Sequence, residues 1–458
     1  PGADSQRSSA RPPWVEFHWG KMHSFKAVLE RVSLRFTYFA SSGMPLRAKA
    51  DLTLKQFEDE DVRPLQNPTS HTATLHSVHV AGVGDTLDRL AARSIVYTAA
   101  EATSSWTIPS VASMWTGLLP QGHGAGVHDG EANTLAPLRP DVDTVARLAR
   151  RAGLRTAAIV GDPELRAYAL DAGFARWHDD PGRGVRPTAL HPLGVAGLDP
   201  SRWPDHAPAE LVADRALAEL DDLVEDGVGG LVWVHLGDAR DPASPRAYAT
   251  ALDRVDRAVG RLVEAAPADA WIVLVGDRGV EIDERRPRLT RGQITHGHTM
   301  HTELVHVPLV IRAPGVAPSR VAEPVPLVDL APTVLAALGL RAPQGLDGVK
   351  LGAPFGESQR TRTLVSQAVR HGIEQRRVRV GRYALIQRDP RHTSVYDLEA
   401  DPAEADPLGA EAREDDVRER KMSALLPPMG AGSSVPGRPP ASAELGRLAQ
   451  RLWGRTLP

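Results

Sequence analysis

The chain has 458 residues, with 54 Lys and Arg against 57 Asp and Glu, 42% hydrophobic residues and no cysteine. The near balance of charge excludes a polybasic nucleic-acid or membrane surface, and the missing cysteine excludes disulfides, thiolate metal ligands and a cysteine nucleophile. No window reaches the roughly 18 uninterrupted apolar residues of a membrane helix.

The opening PGADSQRSSARPPW has no apolar stretch behind it of the kind that marks secretion, so a cytoplasmic location is expected. Residues 1–70 form an N-terminal extension without a chemical motif. Within it, FKAVLERVSLRF has helical periodicity and LTLKQFEDEDVRPL mixes strand and acidic-turn signals. The segment reads equally as a peripheral extension or as a locally disordered one.

From about His71 the pattern becomes regular. TATLHSVHV alternates like a strand, TLDRLAARS reads as an amphipathic helix and IVYTAA as the strand after it. In SSWTIPSVASMWTG, Pro109 belongs in a first helical turn, which places Thr107 at a helix start. Two readings of Thr107 stay open: an ordinary N-cap, or a hydroxyl aimed at an anion seated on the helix N-terminus. DTVARLARRAGLRTAAIVGDP is a helix and a buried strand, and the unit then recurs. AELVADRALAELDDLVED and YATALDRVDRAVGRLVEAA are helices, each followed by an apolar strand, GGLVWVHLGD ending at Asp238 and AWIVLVGDRG ending at Asp277.

Helices alternating with wholly apolar strands predict an α/β fold over residues 71–350, a mostly parallel central sheet with helices on both faces. Ligands in such sheets sit beyond the carboxyl ends of the strands, where Asp238 and Asp277 fall. The segment ITHGHTMHTELVHVPLVIRAPG gathers four histidines. His296, followed by a glycine that permits close approach, is the candidate ligand. His298 is placed behind it, and His301 and His306 are read as surface residues.

After VPLVDLAPTVLAALGL completes the core, RVRVGRYALIQR and TSVYDLEADP predict an antiparallel hairpin in a small C-terminal α+β subdomain, 351–425. A Pro/Gly-rich linker and a short helix, LGRLAQRLW, follow over 426–458.

LDRLAARSIVYTAAEATSSWTIPSVASMWTGLLPQGHG, LVWVHLGDARDP, AWIVLVGDRGVEI, HGHTMHTELVHVPLVIRAPG, PVPLVDLAPTVLAALGLRAPQGLDGVKL and RVGRYALIQRDPRHTSVYDLEADP together resemble, in order, the sulfatase and alkaline-phosphatase superfamily. The resemblance covers about His71 to Pro407. It implies an alkaline-phosphatase-like core with the nucleophile position on Thr107. Sulfatases carry there a Cys or Ser oxidised to formylglycine, followed by Pro-Ser-Arg. Here the run is Thr107, Ile108, Pro109, Ser110 and Val111. Threonine gives no such aldehyde. The resemblance therefore implies the threonine nucleophile of the superfamily's phosphodiesterases and phosphotransferases.

It further implies metal ligands at Asp238, Asp277 and His296, with His76 where the family has an aspartate. Arg278 replaces the histidine of the family's Asp-His-Gly and is assigned as an anion clamp in catalysis. The implied cofactor is a divalent metal (Zn, Mn or Ca), in one site rather than two. The expected function is a metal-dependent hydrolase or transferase acting on a small anionic phosphate or sulfate ester, with no nucleic-acid or membrane partner. The alternative is a relative that kept the fold and lost the chemistry, acting as a binding or scaffold protein.

Overall fold

The computed structural model describes residues 86–129, 134–179, 206–227, 229–240, 244–282, 295–352, 362–389, 392–408 and 413–426, together with strands between residues 14 and 56. The chain divides into two compact units, Pro1–His71 and Thr72–Pro458.

In the first unit, strands Ala27–Phe39 and Pro45–Gln56 form a long antiparallel hairpin, and Trp14–Val15 pairs with the start of the former. The AVLERVSLRF part of FKAVLERVSLRF is thus strand, where helical periodicity was expected. Val32, Leu34 and Phe36 alternate with Ser33, Arg35 and Thr37, and this period of two, rich in β-branched and aromatic residues, prevails over the weaker helical spacing.

The second unit holds the α/β core, in two sheets. Arg155–Val160 runs between Arg176–His178 and Gly230–His235, parallel to both. Helices Val145–Arg151 and Ala209–Glu225 pack on these strands, and Pro245–Ala265 packs on Ala209–Glu225. Side-chain caps open two helices: Thr144 accepts from the Arg147 amide at 3.1 Å and Ser244 from the Ala247 amide at 3.2 Å.

The other sheet is mixed. Ile272–Val275 and Ile95–Glu101 flank His306–Arg312, which is antiparallel to both, while Ser319–Val321 and Val325–Pro326 lie parallel to Ile95–Glu101. The expected parallel order therefore holds for part of the core only. Among the described residues, the connection into His306–Arg312 carries a single helical turn, Thr302–Val305, rather than a crossover helix, and the strand returns antiparallel. The expected strand TATLHSVHV and His76 lie outside the described residues.

The core is aliphatic around Ile108, Val111, Ile159, Leu309, Ile311 and Leu327. An aromatic group lies beside it. Trp115 and Trp233 are 5.2 Å apart between ring centroids, Phe174 lies 5.5 Å from Trp115 and 5.8 Å from Trp233, and Trp177 lies 5.9 Å from Trp233.

The C-terminal part is a four-stranded antiparallel sheet in sequence order, Thr363–Gln367, Arg376–Val380, Tyr383–Asp389 and His392–Asp397. Its apolar face packs Val365, Val378, Val380 and Leu385 against Leu119 and Val328 of the core and Met422 of helix Arg413–Ser423. The expected linker and terminal helix fall, but for Leu426, outside the described residues.

Candidate functional site

Strand Ile95–Glu101 leads through buried Ala102–Trp106 into helix Thr107–Thr116. Trp106 holds the N-cap position in extended conformation, and no side chain caps the helix. Thr107 is therefore not an N-cap residue. Thr107 is 7% exposed, and its hydroxyl is left for another role beside the positive end of the helix.

Small residues let this helix sit deep. The Ser110 hydroxyl donates to the Asp277 carbonyl at 2.5 Å, and Ser113 Oγ lies 3.0 Å from His123 Nε2. The Ala125 amide donates to His123 Nδ1 at 3.1 Å, so Nε2 carries the proton. Burial pushes the His123 imidazole down to about 3, and it works as a neutral bridge. Gly126, at φ +70°, lies under the Trp106 ring, where a Cβ would come within 2.6 Å of that ring.

Arg278, 8% exposed, faces Thr107. Its Nε donates to Thr107 Oγ1 at 3.2 Å, Nη1 to the Gly279 carbonyl at 3.1 Å and Nη2 to the Arg240 carbonyl at 3.3 Å. The guanidinium is thereby fixed in orientation on the strand end that carries Asp277. Arg240 is in turn ion-paired with buried Asp162 at 2.5 Å and reaches Glu164 at 3.6 Å. Glu164 also takes the fork of Arg370, whose guanidinium lies 5.4 Å from the centroid of the Trp106 ring.

The remaining candidates are spread out. His296 is buried, with Nδ1 3.3 Å from Thr295 Oγ1, and the next amide, Gly297, donates to the Ser105 carbonyl at 2.9 Å, beside the Thr107 turn. His298 Nε2 meets Glu281 Oε2 at 2.6 Å. His301, expected at the surface, is 2% exposed, with Nδ1 3.1 Å from Glu404 Oε2. The buried Arg377 beside that carboxylate draws the pair inward, and no sequence pattern announces it. His306 is exposed and meets the Thr98 carbonyl.

Asp238 stands in a different neighbourhood from Asp277. Its side chain is 2% exposed, both oxygens lack a hydrogen-bond partner, and Arg254 Nη1 is 3.3 Å away. Burial raises its pKa, against the charges of Arg254 and His206. His235, which precedes it, is kept neutral chiefly by burial.

A divalent metal needs several oxygen or nitrogen donors converging on one point. Among the described residues no three His, Asp or Glu side chains do so, and the orphaned Asp238 carboxylate has a guanidinium beside it. The described residues do not fit a metal, and no step below passes through one.

Glu164 and Arg370 carry no motif in the sequence, and Arg240 stands where the resemblance places a histidine after Asp238. The one signal near them was positional: Asp162 and Glu164 follow the apolar strand Arg155–Val160 just as Asp277 follows the apolar strand Ile272–Val275.

A family model described as sulfatase matches residues 74–177 and 201–340. A second, contractile injection system tube protein, matches residues 3–64, inside the N-terminal unit. The uncharacterized sulfatase YidJ of Escherichia coli is 26% identical over 192 residues, which is 39% of this chain and 37% of that protein. The chain thus aligns with well under two thirds of that relative.

Among solved structures, the phosphonate monoester hydrolase of Agrobacterium radiobacter superposes with a TM-score of 0.55 at 18% identity, over 75% of this chain and 91% of that one. An enzyme solved with its substrate D-glucosamine-2-N,6-O-disulfate gives 0.54 at 16% identity, over 74% and 91%. At these identities the likeness is one of fold.

Proposed function

The chain belongs to the sulfatase family, and from that premise we propose that it binds the anionic group of a phosphate or sulfate ester at Thr107 and transfers that group to the Thr107 hydroxyl, with phosphate esters preferred. The observation that carries this reading is the 3.2 Å hydrogen bond from Arg278 Nε to a buried hydroxyl at a helix start. A guanidinium is a donor only. It takes no proton from Thr107 but favours the alkoxide and the charge that grows on the ester oxygens during attack.

In this reading Thr107 Oγ bonds to phosphorus or sulfur as the bond to the leaving alcohol breaks, and water later releases the transferred group. The hydroxyl proton passes to an ester oxygen held against the same guanidinium. The helix dipole adds to the favourable field for the anion. The absent formylglycine precursor supports phosphate over sulfate as the preferred group.

A second reading, anion binding without turnover, has one observation in its favour: among the described residues, the hydrogen bond to Thr107 Oγ1 comes from a group that cannot act as a base. One experiment separates the two. Turnover of p-nitrophenyl phosphate, bis-p-nitrophenyl phosphate and p-nitrophenyl sulfate is measured with chelator present, and again after Zn, Mn or Ca is added. Turnover of a phosphate ester that falls by at least about a hundredfold in Thr107→Ala is expected. Turnover unchanged in that variant removes Thr107 as nucleophile. No turnover in any condition, with phosphate still bound, establishes the second reading.

A further inference from the structure

Beside the Thr107–Arg278 pair lies a second cationic group whose acidic partner belongs to the chain itself. Arg370 grips Glu164 fork to fork, with Nη2 3.0 Å from Oε1 and Nη1 3.3 Å from Oε2. Arg240 reaches the same carboxylate at 3.6 Å. Two guanidiniums thus converge on one carboxylate, the arrangement that a phosphate, a sulfate or a ligand carboxylate would also satisfy.

The frame that presents Arg370 is fixed. Its amide and that of His371 both donate to the Gly297 carbonyl at 2.8 Å. Gly297 is at φ +70°, and a Cβ there would meet the Arg370 Cβ at 3.0 Å and the Trp106 Cβ at 3.2 Å. Two residues earlier, Ala368 holds a positive φ of 68°. That costs an alanine on the order of 1 kcal/mol. The carbonyl of Ala368 accepts from Ser104 at 2.7 Å and its amide donates to Glu374 at 2.7 Å. The guanidinium then lies over Trp106, the residue before Thr107.

Glu164 is the movable member. Its side chain is 28% exposed, so an anion from solvent can reach the pair. Asp162, the other carboxylate on Arg240, is 3% exposed and also accepts from the Glu164 amide at 3.0 Å. An arriving anion can displace Glu164 while Asp162 keeps Arg240 in place.

We propose that Arg370, with Arg240, is a second anion subsite that Glu164 occupies in the ligand-free chain, so that the preferred ligand is an ester bearing a second acidic group. This rests on the reading of Thr107 and Arg278 as the first subsite. Specificity for a doubly acidic ligand then comes from the added charge-assisted bonds, set against the cost of displacing Glu164, which a ligand with one acidic group leaves in place.

Calorimetric titration with inorganic phosphate, pyrophosphate and tripolyphosphate, all with chelator present, tests the subsite. One of the two polyphosphates should bind at least about tenfold tighter than phosphate. Glu164→Gln should tighten that polyphosphate a further threefold or so and leave phosphate unchanged. Arg370→Gln should erase the preference while phosphate affinity stays. Arg382→Gln, on the C-terminal sheet, controls for charge alone and should leave the preference intact.

Phosphate binding that needs Arg278 but shows no polyphosphate preference overturns the second subsite alone. So does a preference that survives Arg370→Gln. Failure of all three anions to bind overturns the first subsite as well.

Discussion

Arg278 and Arg377 are both buried arginines, and their described partners differ. Arg377, 1% exposed, lies between two carboxylates. Glu404 pairs with its Nη1, and Glu101 lies 3.7 Å from its Nε. Glu101 also holds Arg379, and Glu404 also holds His301 and the Thr302 amide. Arg278 donates, among its contacts, to a hydroxyl and two backbone carbonyls. One guanidinium joins the C-terminal sheet to the core. The other reaches the Thr107 hydroxyl at the start of a core helix. Burial of a charge does not by itself mark a site. What the charge is turned toward does.

The largest expected effect breaks the Arg377 side of the comparison. Glu404→Gln leaves a buried guanidinium short of a partner and should cost about 3–5 kcal/mol in urea unfolding, with phosphate binding unchanged in the folded fraction. Burial alone would raise the Glu404 carboxyl, but Arg377 and His301 outweigh it and hold it at about 2, below its ordinary 4.5. Its stabilisation is therefore complete above about pH 4.5 and fades as pH falls toward 2.

His123 acts in the neighbouring window. Buried neutral at about 3 against an ordinary 6.5, it destabilises the fold as pH falls below 6.5, because the unfolded chain then binds a proton that the fold refuses. His123→Gln should flatten unfolding free energy between pH 6.5 and 4.5. A slope unchanged by the substitution would remove His123 as its source.

Next comes the Arg278 side. Arg278→Met should weaken phosphate binding by about ten- to a hundredfold and change unfolding by less than Glu404→Gln does, because an apolar chain of similar length replaces a buried charge. A loss of stability equal to that of Glu404→Gln would make the two arginines alike.

Gly126→Ala should cost about 2 kcal/mol, since it strains a positive φ and presses on the Trp106 ring. Phosphate binding should weaken with it. The smallest effect is the control. Thr144→Ala removes a helix cap remote in role from both arginines and should cost about 1 kcal/mol, with binding and acid response unaltered.

The alternation of helix and apolar strand was readable from Val145 to Val275 because each element carries its own period. The direction of His306–Arg312 was not, since an apolar strand reads the same in either sense. Thr107 could be placed at a helix start from Pro109 and Arg278 set beside it by the resemblance, but the hydrogen bond between them, across 171 residues, is visible only in the fold. Glu404 sits in the acidic run DPAEADP, which looks like a solvated turn. Its burial follows from Arg377 on a strand whose charged spacing, RRVRV, gives no hint of which arginine turns inward.

The aromatic group beside the core has an optical consequence. Trp115 and Trp177 each lie within 6 Å of Trp233, close enough for excitation to pass between them, so their emission should change together when the core loosens. Trp106 is a chromophore of another kind, edge-on to Tyr168 at 6.0 Å and beneath the guanidinium of Arg370. Indole emission responds to a cation held over the ring. Among the described residues, Trp106 is thus the tryptophan placed to sense the charge of Arg370.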